Sequence, residues 1–233
     1  MKRFYKAAAA VAADQGYAVQ LDGRPVKTPA KNVLNVPARE LADAIAAEWD
    51  AQGEDIDAHE MRLTRLANSA IDRVVDHRDS VISEIAGYIE TDLVCYRAES
   101  PEGLAREQEA GWGPLVSWIR DRHGVDLEIT TGLLPIAQSS ACLDTIQARV
   151  GEYDVFSLAG LHMVTVSSGS IVIGLAVADD RIDGTAAWEL SLIDETYQLT
   201  EWGEDPDATK RRAGLRDDIA AGAAFLRLCR GMD

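Results

Sequence analysis

The sequence is poor in cysteine and has no long apolar run. Its three cysteines, Cys95, Cys142 and Cys229, lie far apart and form no CxxC pair. An odd number of widely spaced cysteines argues against a disulfide framework and is typical of proteins in reducing compartments. The longest apolar run, Ile171–Ala178, is much shorter than the roughly 20 residues that a membrane-spanning helix needs. These absences exclude a disulfide-stabilised scaffold and predict a chain without stable membrane insertion.

Basic residues are also scarce. Lys and Arg number 23 against 39 Asp and Glu, which gives a formal net charge of −16 over 233 residues. Such a charge disfavours broad electrostatic attraction to nucleic acids or anionic membranes, so we expect no nucleic-acid partner. The hydrophobic content of 47% is sufficient for a substantial core, in one large domain or two smaller ones.

Local motifs of catalysis and cofactor binding are missing as well. The histidines lack the spacing of a metal site, and there is no HExxH, GxSxG, GxxxxGK[ST] or GxGxxG motif. His162, close to the serine-rich segment 167–170, resembles part of a catalytic triad only superficially. We therefore expect no metal, no cofactor and no use of ATP.

The first 17 residues begin with cations and an alanine run, and in this they superficially resemble a signal peptide. The run is only weakly apolar, however, and it is followed by Asp14 and Gln15 without a clear cleavage pattern. We therefore interpret this segment as mature sequence.

The hydrophobic pattern changes from alternating to helical near residue 37. Between residues 16 and 37, apolar and polar residues alternate up to a turn at Asp22-Gly23, which predicts paired strands. A helix with one apolar face follows, then a polar segment, Gly53–Ala58, that is the best linker candidate. The predicted fold class is α+β, with a small β-containing N-terminal domain, residues 1–58, and a larger helical C-terminal domain, residues 59–233.

Helical periodicity continues through most of the C-terminal domain. Gly113-Pro114 is expected to end one helix and start another, and Gly184–Trp202 is expected to form one continuous helix. The run Ile171–Ala178 is ambiguous by periodicity, and we predict a buried helix because its neighbours are helical.

The segment IDETYQLTEWGEDPDATKRR, residues 193–212, carries six acids around Tyr197 and Trp202. On one continuous helix, Glu195 would lie in the middle of an apolar stripe. The stripe consists of Trp188, Leu192, Leu199 and Trp202. Because an unpaired carboxylate is costly to bury, three alternatives remain for Glu195: an intramolecular ion pair, contact with a partner protein, or catalysis. The neighbouring Asp194 is expected to border water.

Three of these six acids lie immediately ahead of the last predicted helix. Negative charge is favourable at a helix N-terminus, because the helix dipole is positive there. We therefore expect these residues to act as capping acids; they are Glu204, Asp205 and Asp207.

Six long phrases, distributed from the beginning to the end of the chain, carry a resemblance to a known family. They are LDGRPVKTPAKNVLNVP (21–37), AEWDAQ (47–52), LTRLANSAIDRV (63–74), TDLVCYRAESPEGLAREQEAGWGPLVSW (91–118), SGSIVIGLAVA (168–178) and DETYQLTEWGEDPDA (194–208). Together, in this order, they resemble the F-type ATP synthase assembly chaperones that handle the alpha subunit, the mitochondrial ATP synthase complex assembly factor two family. One departure is Trp112-Gly113-Pro114, where the family often has Trp-Asp-Pro.

The resemblance implies a non-enzymatic chaperone. Such a protein binds the free alpha subunit and prevents its aggregation and self-association until the beta subunit replaces the chaperone, without using ATP. The family's fold, a small β-containing N-terminal domain joined to a helical C-terminal domain, agrees with the pattern above. A bacterial member would act in the cytoplasm, and a processed eukaryotic member in the mitochondrial matrix.

The resemblance also implies where the partner binds. The family's (D/E)-E-x-Y-Q phrase corresponds to residues 194–198, and one acid of this phrase is functionally important, which leaves Asp194 and Glu195; the helical stripe favours Glu195. We predict a partner-binding surface that includes Glu195, Asp194, Tyr197 and Trp202 and borders an exposed apolar patch.

Two other classes of function compete with a monomeric chaperone. A carboxylate-based hydrolase or lyase would require a concave pocket around Glu195 with a second acid within reach. A passive oligomeric scaffold would require a broad self-complementary interface.

Overall fold

The computed structural model describes residues 1–132, 135–203 and 206–231, and for Trp202 the backbone alone. Packing divides the chain into two compact units. Unit 1 comprises Met1–Arg78, Tyr153–Gly160 and Ala224–Asp233, and unit 2 comprises Asp79–Glu152 and Leu161–Ala223. This division does not say which segments fold independently, so the domain boundary after residue 58 stays a prediction.

Unit 1 contains a small antiparallel sheet. Its strands are β1 (Ala8–Ala12), β2 (Tyr17–Leu21), β3 (Arg24–Pro25) and β4 (Asn35–Val36). Strand β2 pairs with each of the other three. The turn between β2 and β3 has positive φ at both Asp22 (47°) and Gly23 (80°), as a tight two-residue hairpin turn requires. The predicted turn is therefore confirmed, whereas β1 is a strand that the sequence pattern does not indicate.

Helix α1 (Arg39–Asp50) lies on this sheet. Its buried residues recur at helical spacing, and they are Leu41, Ala42, Ile45 and Ala46. The same helix packs against β1 and β2, so the predicted apolar face is confirmed and its contact is with the sheet. A carboxylate of α1 also caps the next helix, α2 (Arg62–Ser69), because Glu48 accepts hydrogen bonds from the backbone N–H groups of Leu63 (2.7 Å) and Thr64 (2.8 Å).

The linker candidate, residues 53–58, lies beside the N-terminal residues. The backbone N–H of Arg3 donates to the carbonyl oxygen of Glu54 at 2.8 Å, and that of Ile56 donates to the carbonyl oxygen of Met1 at 2.7 Å. The Lys2 ammonium is 3.0 Å from an Asp55 carboxylate oxygen. After α2, the chain continues as a wider π-helical turn, Ala70–Val74.

Helices form most of the remaining chain. They are α3 (Arg78–Gly87), α4 (Glu102–His123), α5 (Ser140–Gly151), α6 (Val155–Ser168), α7 (Ile171–Ala178), α8 (Gly184–Ser191), α9 (Ile193–Trp202) and α10 (Pro206–Arg230). Two short strands, β5 (Tyr96–Arg97) and β6 (Thr130–Thr131), pair in parallel. Within the described ranges, the length and hydropathy of every helix fall short of those of a membrane-crossing segment.

Helix α7 confirms the prediction for the apolar run. All eight of its residues are buried, which explains why the run shows no amphipathic period. Its N-terminus is capped by the Ser170 hydroxyl, which accepts a hydrogen bond from the Ile173 N–H at 3.0 Å.

Helix α4 contradicts the predicted break at Gly113-Pro114. It is continuous over 22 residues, with Pro114 inside it. An internal proline costs about 3 kcal/mol. Three buried apolar side chains on both sides of the proline, Trp112, Leu115 and Ile119, stabilise the helix by about 1.5–3 kcal/mol each, which outweighs that cost.

The prediction of one helix over Gly184–Trp202 is also wrong. The chain forms two helices, α8 and α9, and the break is at Leu192, where φ is −120° and ψ is 20°. Leu192 is buried, and its φ and ψ lie outside the α-helical region. Glu195 therefore does not occupy the middle of a stripe on one straight helix.

The order of elements confirms the predicted α+β class, with a small β-containing N-terminal region and a larger helical C-terminal region. Of the three capping acids predicted for the last helix, Asp207 lies in the first turn of α10. Glu204 and Asp205 lie outside the described residues.

Candidate functional site

The predicted site residues belong to α9, which unit 2 holds against α4 and α10. The indole N–H of Trp112, in α4, donates to the carbonyl oxygen of Leu190 at 2.8 Å, just before the break between α8 and α9. The indole N–H of Trp188, in α8, donates to the carbonyl oxygen of Arg212, in α10, at 3.1 Å. Two tryptophan side chains thus fix the position at which α9 begins.

Glu195 forms an ion pair at the surface. One of its carboxylate oxygens lies 2.6 Å from Arg211 Nη2 and 3.7 Å from Arg212 Nη1. The Glu195 side chain is 33% exposed and that of Arg211 is 55% exposed. The hydrogen bond and the charge of Glu195 raise the pKa of Arg211. Because exposed ion pairs contribute only about 0–1 kcal/mol, a cation of another protein can compete for this carboxylate.

Asp194 is engaged differently, because its partner is buried. Its Oδ1 accepts a hydrogen bond from the side-chain amide of Gln108, in α4, at 2.6 Å. The amide oxygen of Gln108 in turn accepts from the backbone N–H of Ala98 at 2.6 Å. Asp194 is half-buried, and this chain of hydrogen bonds attaches the start of α9 to α4. Of the two acids, Glu195 is the one whose nearer partner, Arg211, is itself exposed, whereas its more distant partner Arg212 is largely buried.

Tyr197 lies against the first turn of α4. A Cβ placed on Gly103 would be 3.0 Å from the Tyr197 hydroxyl oxygen, so the missing side chain at Gly103 leaves room for the half-buried tyrosine ring. The side chain of Trp202, the fourth predicted site residue, lies outside the described part of the chain.

Sequence reasoning missed the residues that support this site. Arg97 is buried, and its guanidinium donates to the carbonyl oxygen of Gln108 at 2.6 Å and lies 5.1 Å from the centre of the Trp112 ring. Burial lowers the pKa of Arg97. The buried arginine thus connects β5 to α4 on the side of α4 that carries Gln108. No local motif could have identified these partners, because Gln108 and Asp194 are 86 residues apart.

The exposed apolar residues lie elsewhere. Among the described residues, the large apolar side chains with the highest exposure are Met1, Phe4, Val33, Val75, Ile129 and Val166, none of them on α8 or α9. Around Glu195 the described apolar side chains, such as Leu199 and Ile193, are half-buried.

Two of the grooves formed by described residues are large enough to hold a ligand, and neither of these two is lined by Asp194 or Glu195. One, of about 560 Å³, is formed by residues of the N-terminal sheet region. The other, of about 630 Å³, is a shallow polar groove lined mainly by α5. In the described ranges, no group of three or more His, Cys, Asp or Glu side chains has the arrangement of a metal site.

Comparison with known proteins agrees with this architecture. The model of the ATP12 chaperone protein family matches residues 2–120. The mitochondrial protein atp12 of Schizosaccharomyces pombe is 25% identical over 244 residues, which cover 99% of this chain and 84% of that protein.

Solved structures of related proteins have the same fold over almost the whole chain. Atp12 of Paracoccus denitrificans is 40% identical over 98% of both chains with a TM-score of 0.93, and an aspartate-to-lysine mutant of that protein has the same values. The Atu1473 protein of Agrobacterium tumefaciens is 34% identical over 97% of this chain and 85% of its own, also with a TM-score of 0.93. The chain therefore belongs to the ATP12 chaperone protein family.

Proposed function

We propose that this protein is an assembly chaperone that binds the free alpha subunit of the F-type ATP synthase and prevents its aggregation and self-association until the beta subunit replaces it. The observation that carries the proposal is family membership over almost the whole length of the chain, with a TM-score of 0.93 to Atp12 of Paracoccus denitrificans. The chaperone works without ATP, without a cofactor and without catalysis, as a monomer in the bacterial cytoplasm or, in a eukaryotic cell, in the mitochondrial matrix.

In this proposal, the partner-binding surface on α9 includes Glu195, Tyr197, Trp202 and the start of the helix at Asp194. Glu195 is the acid that meets a cation of the client, because its carboxylate is partly exposed and its stronger partner, Arg211, is itself mostly exposed. Asp194 holds the start of α9 against α4 by accepting a hydrogen bond from the buried Gln108. The net charge of −16 keeps the chaperone soluble and steers it towards cationic rims on the client.

The proposal is tested by light scattering of purified alpha subunit diluted out of denaturant. We expect the wild-type protein to suppress the scattering at a near-stoichiometric ratio. Glu195→Lys is expected to require roughly ten times more protein for the same suppression, because a rim charge pair that becomes repulsive costs about 1.4 kcal/mol or more. Circular dichroism of the variant verifies that it is folded.

Two control variants separate client contact from internal stability. Glu189→Lys, at an exposed acid of α8, makes the same change in net charge and is expected to protect like the wild type. The double variant Glu195→Arg with Arg211→Glu restores an ion pair with its charges exchanged. If this exchange restores protection, Glu195 acts only through its internal ion pair and the proposed contact is wrong. If the wild type itself does not suppress scattering, the proposed client is wrong.

A further inference from the structure

Unit 1 contains a groove that the proposed site on α9 does not use. This N-terminal groove, of about 560 Å³, is formed by residues 1–5, the β2–β3 hairpin and the last turn of α1. The residues that matter for its chemistry are Phe4, Arg24, Pro25, Lys27 and Trp49. Its volume is in the range of sites that hold one or two large side chains.

One wall of the groove is an ordered series of aromatic rings. Phe4 is 67% exposed, and its ring packs edge-on against Tyr5 with 5.4 Å between the ring centres. Tyr5 packs in the same way on Trp49 at 5.6 Å, and its hydroxyl donates to the carbonyl oxygen of Trp49 at 2.7 Å. Phe4 is therefore held at the surface by packing, and an exposed, fixed aromatic ring is typical of a binding surface.

The groove is basic although the whole chain is acidic. Among the residues that line it, Arg24 and Lys27 are cations and Asp22 is the one acid, whereas the complete chain has a net charge of −16. The one acid on the groove wall, Asp22, accepts hydrogen bonds from the backbone N–H groups of Lys6 and Ala7, so its charge is already engaged. In the described part of the chain, neither Arg24 nor Lys27 has an ion pair or a side-chain hydrogen bond.

Trp49 adds an unused donor. Its indole N–H is buried, and it has no hydrogen-bond partner among the described residues. A buried donor without an acceptor costs about 1–3 kcal/mol, so this end of the groove wall contains an unsatisfied polar group in the free protein.

We propose that the N-terminal groove binds an extended segment of the client polypeptide in which a large apolar side chain is followed or preceded by carboxylates. The apolar side chain packs on Phe4, and the carboxylates meet Arg24 and Lys27. This inference rests on the proposed chaperone function, and it assigns to unit 1 the apolar contact that the described surface of α9 does not provide.

Charge decides between a polypeptide and an anionic membrane as the occupant. A membrane would face a large part of a protein with a net charge of −16 and would be repelled. A single segment in the groove meets first the charges of the groove wall itself, which are the two cations Arg24 and Lys27 and the already engaged Asp22.

The test uses immobilised overlapping 15-residue peptides that cover the alpha subunit of the F-type ATP synthase. We expect the folded full-length protein to bind peptides that combine a large apolar residue with acids, and to bind copies with lysine in place of those acids at least tenfold more weakly. Phe4→Ala and the double variant Arg24→Glu with Lys27→Glu are each expected to weaken binding at least tenfold. Two variants in unit 1 outside the groove, Val75→Ala and Arg65→Glu, serve as controls for exposed apolar area and charge, and they should bind like the wild type.

The outcomes separate this proposal from the proposed function. If the wild type suppresses scattering of the alpha subunit while the groove variants bind peptides like the controls, the groove proposal is overturned and the chaperone function stands. Absence of peptide binding overturns it as well. Binding of vesicles containing phosphatidylserine in place of peptides would make a membrane the occupant. A wild-type dimer that Arg24→Glu with Lys27→Glu dissociates would make a second copy the occupant, and both results contradict the proposal.

Discussion

Replacing Trp112 by alanine is expected to lower the free energy of unfolding by about 3–5 kcal/mol, the range for removing a large buried aromatic side chain. Trp112 is fully buried in α4, and the structure gives it two specific partners. Its indole N–H donates to the carbonyl oxygen of Leu190 at the end of α8, and the Arg97 guanidinium lies over its ring. Alanine would leave a cavity and would also leave the Leu190 carbonyl and the Arg97 charge without these contacts.

The measurement is urea denaturation followed by circular dichroism, because the substitution removes a fluorophore. Trp112→Phe is the matched control: it keeps most of the ring and loses only the N–H donor, so a loss of about 1–2 kcal/mol is expected. A loss below 1 kcal/mol for Trp112→Ala would contradict the role given to this side chain. Because Trp112 positions the junction of α8 and α9, Trp112→Ala should also weaken client protection, and Trp112→Phe should largely preserve it.

The fold class was predictable because its signals are local. The Asp22-Gly23 turn and the apolar face of α1 each follow from a short segment of sequence, and the helix at Ile171–Ala178 follows from the helical pattern of its immediate neighbours. Strand β1 was not predictable in this way, since an alanine-rich segment has little strand preference of its own. It becomes a strand through five pairs with β2, from Ala8 opposite Leu21 to Ala12 opposite Tyr17, and through packing on α1.

The two wrong helix boundaries have opposite causes. Pro114 is a local signal for a break that buried neighbours in α4 override. Leu192 carries no breaking signal at all, yet α8 ends at this buried residue, next to the Leu190 carbonyl that accepts from the buried Trp112 of α4. Local preference decides a helix boundary only where tertiary packing contributes less free energy than the preference itself.

The candidate site was predictable only in part, for a related reason. The family phrase gave the position of Asp194 and Glu195, but their partners come from distant segments. Glu195 pairs with Arg211 on the next helix, and Asp194 accepts from Gln108 on α4. The separate behaviour of two neighbouring acids depends on which elements pack around α9, and periodicity along α9 itself contains no such information.

Asp92→Asn is expected to lower the free energy of unfolding at about pH 4, and this loss of stability is expected to shrink as the pH rises to about 7. Asp92 is fully buried in unit 2, where its Oδ1 accepts from the Ser170 hydroxyl at 2.6 Å and from the Val94 N–H at 3.1 Å, and its Oδ2 accepts from the Val172 N–H at 3.1 Å. Burial raises the pKa of Asp92 from 3.8 to about 6, and the hydrogen bonds to its carboxylate oppose this rise.

The direction of the pH effect follows from these two pKa values. Below the unfolded-state pKa of 3.8, the carboxyl is protonated in both states, and its titration does not affect folding. Between 3.8 and about 6, the unfolded chain loses the proton while the folded chain keeps it, so the stability contributed by Asp92 is progressively lost. Above the folded-state pKa the loss is constant at about 3 kcal/mol, because each pKa unit corresponds to about 1.4 kcal/mol.

Asparagine removes this titration while preserving the size of the side chain. Its amide oxygen can keep the bonds from Ser170 and Val94, but its NH₂ group faces the Val172 N–H, which costs about 1–3 kcal/mol at every pH. Urea unfolding of both proteins from about pH 4 to about pH 8 isolates Asp92, since both proteins share all other titrating groups. We expect the wild type to be the more stable by about 1–3 kcal/mol at the acidic end, and the difference to shift by about 3 kcal/mol in favour of the variant by neutral pH, where the variant is at least as stable as the wild type. Parallel stability curves for the two proteins would show that the Asp92 carboxyl has an ordinary pKa in the folded state and that burial does not dominate at this position.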